Sequence, residues 1–409
     1  MTRWWPDMLY QRFDPSGCDF PKARVPMLPI FSRHTLGYGP ASAQKTATAG
    51  AKLRFFSRAR YALREAYRLC GVGPDGALMA PTYHCRTMLD PAISLGAQIT
   101  LYPLHADLAP DLQALTTSLS ACQQPVKALL LPHYFGFAQE LEPIARFCDE
   151  HGITLIEDCS HSLWPGATGD TERGKVGTRG RFSVSSPSKF FPCADGGVLW
   201  TNQDAPAAWA QQREPDSAQE IKSFAHSLIC ACQHTASPDV GALNADLKAL
   251  SSKLARVGSD LLTLDQRTSP AYNAVDEPNP GLAWSRWVVR HSNLARIASR
   301  RRAHYRQWVS AVAHLPHCRS LFPQLNNDSV PYVFPLCISH PQPHFYILKQ
   351  LGIPVGRWDD MAISDCRTAA NYRLQLLHLP CHQELSALQM TWMTAALKRA
   401  MLDFSPNHK

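Results

Sequence analysis

Thr154-Leu-Ile-Glu-Asp158-Cys-Ser-His161 and, further on, Ser186-Pro-Ser-Lys189-Phe-Phe-Pro-Cys-Ala-Asp195-Gly-Gly197 are the stretches that decide how this chain folds. A short apolar run ending in a carboxylate reads as a buried strand that delivers a charge at its C-terminal end. An ionised Asp158 there is costly to bury without a cationic partner. Lys189 lies in a loop between two strand-like runs, Arg181-Phe-Ser-Val and Gly197-Val-Leu-Trp, and is followed by Phe190 and Phe191. Partial desolvation by such neighbours leaves some of a lysine uncharged and nucleophilic. Gly196 and Gly197 permit a tight turn before the next strand. Ser183, Ser185, Ser186 and Ser188 offer hydroxyls suited to a phosphate. Taken singly, each residue also has a plainer reading: a strand-end Asp caps a turn, and a loop lysine is exposed.

Outward from this core, strand-like runs recur at Ala77-Leu-Met-Ala, Gln98-Ile-Thr-Leu-Tyr and Val126-Lys-Ala-Leu-Leu-Leu. Helical segments near residues 89–95, 108–119 and 141–151 separate them. Apolar runs alternating with helices predict βαβ units around a mainly parallel sheet buried on both faces. The expected fold class is α/β: a large three-layer α/β/α domain over residues 46–275, with an N-terminal arm over 1–45 and a small C-terminal α+β domain over 276–409. Leu53, Phe56, Tyr61, Leu63, Tyr67 and Leu69 lie at helix-like intervals, residues 206–266 read as helical, and Trp284 to Ala313 reads as one strong helix. Trp4 and Trp5 in the arm read as ordinary packing residues. Ligands of open parallel sheets bind beyond the carboxyl ends of the strands. That rule singles out Tyr83, His84 and Cys85, then His133 and Tyr134, then Asp158 and His161.

Composition narrows the function classes. The 409 residues contain no run of about 18 apolar residues and do not open with a secretory signal, so a cytoplasmic protein with no transmembrane segment is expected. Thirteen scattered cysteines read as free thiols. Cys230, Cys232 and His234 lack a second ligand pair and sit on a helical stretch, so no metal is expected. The net charge of +8 is modest for this length. Its densest group, Arg300-Arg301-Arg302 with Arg306, reads as a solvated helix face. Nucleic acid is not expected as a partner; an anionic small substrate fits better.

Asp158, Lys189 and the Asp195-Gly-Gly that follows, in this order and spacing, resemble the DegT/StrS family of PLP-dependent sugar aminotransferases, which have the aspartate-aminotransferase fold (fold type I). The likeness extends to Gly71-Val-Gly-Pro-Asp-Gly-Ala-Leu-Met-Ala-Pro81, to Leu95-Gly-Ala with Tyr102-Pro-Leu, to Leu131-Pro-His133-Tyr-Phe-Gly136 and to Leu351-Gly-Ile-Pro-Val. The resemblance implies pyridoxal 5'-phosphate (PLP) as cofactor, held by Lys189 as a Schiff base, with Asp158 on the pyridinium nitrogen and His161 near the ring. A protonated ring nitrogen is what makes PLP an electron sink. Phosphate binding falls to Ala59 and Arg60, in an Arg58-Ala59-Arg60 segment that replaces the family's usual small pair. Either Ser183 or Ser186 completes it. Cys85 stands where an aromatic commonly stacks on the ring, with Tyr83 and His84 beside it.

The function so implied is transamination in two halves, from an amino acid donor such as glutamate to a keto-sugar acceptor, nucleotide-linked, by a homodimer. The alternatives are another PLP reaction on the same fold, such as elimination or dehydration, and a non-catalytic ligand-binding relative.

Overall fold

The computed structural model describes residues 8–37, 52–163, 176–233, 238–250, 258–264, 268–326 and 329–404. Trp4, Trp5 and His234 lie outside the described residues, as does the side chain of Cys232. Strand β1 (Leu9–Asp14) stands apart from the main sheet. That sheet contains β2 (Leu53–Phe56), β3 (Ala77–Pro81), β4 (Ile99–Tyr102), β5 (Val126–Pro132), β6 (Thr154–Asp158), β7 (Phe182–Ser185) and β8 (Gly197–Thr201). Its order is β2-β8-β7-β6-β5-β3-β4. Only β8 runs against the rest, pairing antiparallel with β2 and β7. The carboxyl ends of the other six strands therefore share one edge.

Period-two alternation builds the layers. Leu78, Ala80, Leu130, Ile156, Phe182 and Val184 meet Tyr61, Leu63 and Tyr67 of α1 (Ala59–Leu69) and Leu89 of α2 (Arg86–Ser94). Their neighbours Ala77, Met79, Leu129, Leu131 and Leu155 face Leu115 of α3 (Leu112–Ser120) and Ile144 and Phe147 of α4 (Glu142–Glu150). Each buried leucine or isoleucine contributes about 2 kcal/mol, which commits the register of every strand.

Helices α5 (Ser217–Gln233) and α6 (Leu243–Leu250) follow, then β9 (Ser259–Leu264), α7 (Ala283–His291) and α8 (Leu294–Val312). Beyond these, β10 (Cys318–Ser320), β11 (Val333–Ile338) and β13 (Leu376–Pro380) make an antiparallel sheet, order β10-β11-β13. It packs with α8, α9 (Pro341–Gln350), α10 (Arg367–Gln375) and α11 (Ala387–Asp403) around the fully buried Trp308 and Trp392. No helix among the described residues is long and apolar enough to cross a membrane.

The large α/β domain with its mainly parallel sheet matches the expectation; several local readings do not. Leu53–Phe56 is a strand, since its backbone completes the sheet edge against β8. The stretch read as helical to residue 266 contains β9, which pairs with β1 along its whole length, and β1 also pairs with β12 (Met361–Ala362). Long-range pairing supplies what local periodicity lacks. The predicted single helix from Trp284 is two, because Ser292 leaves the helix and the Asn293 side chain caps α8 through the amide of Arg296.

Candidate active site

Asp158 closes β6 with its side chain buried, and one carboxylate oxygen accepts the Ser160 amide at 2.9 Å. Lys189 ends the short turn Pro187–Lys189 just beyond β7, the strand paired beside β6. Burial lowers the basicity of its ammonium and Asp158 and Cys85 raise it, while Arg60 lowers it further; the net displacement is downward. Asp158 and Lys189 thus feel each other's charge, yet among the described residues no ion pair joins them. A sequestered carboxylate and amine that interact across a gap leave both in need of a partner between them.

Aromatic rings crowd around the amine. Lys189 Nζ lies 5.4 Å from the ring centre of Tyr332, and Tyr332 stacks on His161 at 4.7 Å. Phe135 and Trp358 lie beside the same imidazole, each at 5.4 Å. The Phe135 amide donates to His161 Nδ1, which places the imidazole proton on Nε2. Burial, then the charges of Lys189 and His378, hold His161 well below the ordinary histidine range, so it is neutral at physiological pH. His161 makes no hydrogen bond to Asp158 in this arrangement; its place near the ring site follows from packing.

The opposite end of the site lies at the start of α1. Arg58 occupies the N-cap without a side-chain cap bond, so the first turn, Ala59 and Arg60 included, presents an uncapped helix N-terminus, a ready anion site. The Lys189 loop reaches it directly: the Gly196 amide bonds Ser57 O at 2.8 Å, and any side chain at Gly197 would collide with the backbone of Arg58 and Ala59. The hydroxyls of Ser57, Thr82 and Ser162, each buried just beyond a strand end, have no hydrogen-bond partner. Orphan hydroxyls such as these, with the uncapped start of α1, suit a bound group carrying a phosphate and polar ring substituents, so the residues present fit PLP.

Of the two candidate phosphate serines, Ser186 lies past the end of β7 at this edge. Ser183 does not join it: two residues earlier than the strand end, it sits opposite Glu157 and accepts from Asn202 at 3.3 Å. Tyr83 hydrogen-bonds His378 at 3.2 Å and packs on Trp358 at 5.0 Å, while His84 is committed elsewhere, to the Ala362 amide at 3.2 Å. Cys85, bonded to Thr87 at 3.1 Å, is the one of the three whose charge acts on Lys189.

Glu157, the neighbour of Asp158, is structural. Its carboxylate accepts the amides of Gly177, Arg179 and Gly180 at 2.6–2.8 Å and His133 Nε2 at 2.9 Å. His133 Nδ1 is itself filled by the Gln139 amide. His133, Glu157 and Cys159 lie close enough to suggest metal ligands, but the lone pairs a cation would need are engaged in these bonds. Burial alone would raise the Glu157 pKa, but the bond and charge of His133 and the amides of Gly180 and Gly177 outweigh it and hold it below the usual range. Its stabilisation is therefore present above the unfolded carboxyl's pKa and is lost as pH falls through the lowered folded value. Glu157→Gln is expected to cost about 3 kcal/mol, because an amide NH₂ replaces an acceptor that buried donors require. Urea denaturation at neutral pH measures this, with the difference from wild type shrinking in acid.

Four residues of the C-terminal half were missed in the sequence: Tyr332, Trp358, His378 and Arg301. Arg301 is also a correction, since its triplet read as a solvated face. It is completely buried, on the same face of α8 as Ile297, Tyr305, Trp308 and Val312, and that spacing was the available signal.

A sequence profile of the DegT/DnrJ/EryC1/StrS aminotransferase family matches residues 56–230. GDP-perosamine synthase of Vibrio cholerae is 27% identical over 154 residues, an alignment that takes in 36% of this chain and 39% of that protein's length. Among solved structures, Helicobacter pylori PseC, an aminotransferase involved in pseudoaminic acid biosynthesis, superposes with a TM-score of 0.61 at 16% identity, covering 94% of this chain and 100% of that one. The PLP form of Spr1654 from Streptococcus pneumoniae, a sugar aminotransferase by its description, gives 0.59 at 14% identity over 92% and 98%. The matched segment, residues 56–230, carries Asp158, Lys189 and the main sheet from β3 to β8 and is similar to the DegT/DnrJ/EryC1/StrS aminotransferase family, and the fold of the solved relatives is shared over more than nine-tenths of the chain.

Proposed function

We propose that this protein is a PLP-dependent aminotransferase that moves an amino group from an amino acid, glutamate in the first instance, to a nucleotide-linked keto-sugar, acting as a cytoplasmic homodimer. The observation that carries the reading is the pair Asp158 and Lys189: two mutually sensed charges with no ion pair between them among the described residues, at the edge where six strands end. The names of the matched relatives support a sugar acceptor, and the net charge of +8 suits an anionic one.

PLP, when bound, supplies the electron sink for the pair released at the donor's α-carbon. Asp158 would hold the proton on the ring nitrogen. Lys189 would hold the cofactor and, as a free amine, would be the base that takes the donor's α-carbon proton and returns it. The N-terminus of α1, with Ala59, Arg60 and Ser186, would hold the phosphate, and Cys85 and His161 would contribute to the ring site. His161, neutral and with its proton on Nε2, offers a donor that does not compete with Lys189 for the proton. Tyr332 and Trp358 close the site from the C-terminal half and limit water around the amine.

The decisive experiment is the visible spectrum of the PLP-loaded protein. Glutamate should convert it to the amine form of the cofactor, and one of a panel of nucleotide keto-sugars should convert it back. A colourless protein indifferent to added PLP would refute the reading.

The lowered basicity of Lys189 gives a pH prediction. Its uncharged fraction grows as pH rises through a value below the ordinary 10.5, so capture of added PLP by the cofactor-free protein should rise with a midpoint below that of exposed lysines. The unfolded chain holds this proton to higher pH than the folded one, so stability also increases across the same interval. Borohydride trapping and peptide mass spectrometry along a pH series measure the midpoint; one at or above 10.5 contradicts the sequestered lysine.

A further inference from the structure

Arg301 is buried on every side, with no carboxylate in ion-pair contact among the described residues. Its guanidinium instead donates to neutral oxygens: Nε to Gln383 Oε1 at 2.9 Å, Nη1 to Pro331 O and Tyr332 O at 3.1 and 2.9 Å, and Nη2 to Lys189 O at 2.9 Å. Its carbon lies 4.4 Å from the centre of the Phe190 ring, and Gln383 returns a bond to Phe190 O at 2.8 Å. Burial lowers even this guanidinium to about 10. A buried cation without a counter-charge is an expensive filler for a helix face otherwise made of Ile297, Tyr305 and Trp308. Only its donor geometry distinguishes it from an apolar side chain.

That geometry joins two segments far apart in sequence. One is the backbone of Lys189 and Phe190. The other is Pro331–Tyr332, which rests on Phe135 through the Tyr332 amide at 2.8 Å and packs so closely on Gly136 that a side chain there would strike Val330 O. Tyr332 is the ring nearest Lys189 Nζ. One planar fork therefore fixes the carbonyl of the reactive lysine and the backbone of the residue that covers it.

We propose that Arg301 is a positioning residue for the reaction: by clamping Lys189 O to the Pro331–Tyr332 backbone, it sets the placement of the Lys189 amine and keeps it sheltered under Tyr332. This inference rests on the proposed function, in which Lys189 carries PLP and moves the proton. Lysine cannot replace the fork, having one nitrogen where Arg301 uses three.

The test compares wild type, Arg301→Lys and Gln383→Leu, PLP-loaded for the glutamate half-reaction and cofactor-free for PLP capture, after borohydride trapping has located PLP on wild-type Lys189. Failure of that first step overturns the proposed function and this inference with it. Arg301→Lys is expected to lower kcat of the glutamate half-reaction about tenfold to a hundredfold with the glutamate KM little changed. The pH midpoint of PLP capture should move upward, since a loosened Lys189 regains water. Gln383→Leu should move both readouts the same way by less. Wild-type kcat and midpoint in both variants, or a loss confined to KM, overturn the proposal. Should Arg301→Lys fail to fold, Gln383→Leu decides: an unmoved midpoint overturns it and an upward one supports it.

Discussion

Lys189→Ala is expected to yield a folded protein that borohydride can no longer label with PLP and whose amino transfer falls by at least about a thousandfold. Two functions leave with the one nitrogen: the covalent hold on the cofactor and the base that carries the α-carbon proton. The fold should not suffer. Burial opposes the charge of Lys189, and no ion pair offsets that opposition among the described residues, so truncation removes an unfavourable group along with a useful one. The Lys189 carbonyl bond to Arg301 belongs to the backbone and remains. Thermal melting of the cofactor-free variant should therefore equal or exceed wild type, while trapping and transfer collapse. Labelling that persists at wild-type level would mean that another lysine holds the cofactor.

Much of this site was legible before any coordinates because its parts are local. Asp158 ends an apolar run and Lys189 precedes two glycines, and both signals lie within a few residues of the groups they concern. The sheet was legible for the same reason: continuous apolar runs such as residues 128–132 leave no exposed face, which a strand covered on both sides explains. What stayed hidden depends on distant partners. Leu53–Phe56 has the apolar spacing of a helix until β8, nearly 150 residues away in sequence, offers it a ladder. Ser183 and Ser186 are interchangeable on chemistry, and only the pairing of Ser183 opposite Glu157 separates them. Arg301 misled because three adjacent arginines suggest solvent, although the apolar residues at helical spacing on either side point inward. The rings of Tyr332, beside the amine, Trp358, beside His161, and His378, which feels the Lys189 charge, come from strands and loops of the second half, where no motif marks them.

Asp158→Asn tests the charge rather than the shape. The bond from the Ser160 amide survives, since an asparagine oxygen accepts it equally well, so the turn after β6 is kept. The negative charge does not survive, with two consequences of known sign. First, the ring nitrogen loses the partner that holds its proton, and glutamate-driven conversion should slow by about a hundredfold to a thousandfold, with Lys189 still labelled by borohydride. Second, Asp158 raises the basicity of Lys189 in the cofactor-free protein, so its removal makes the ammonium easier to deprotonate. The pH midpoint for PLP capture should then fall below that of wild type, the reverse of the shift expected for Arg301→Lys. A slower half-reaction together with a lower midpoint can arise only if residue 158 acts on both the cofactor ring and the lysine amine. An unmoved midpoint would separate the two groups in space, and the pair that underlies the proposed chemistry would no longer stand.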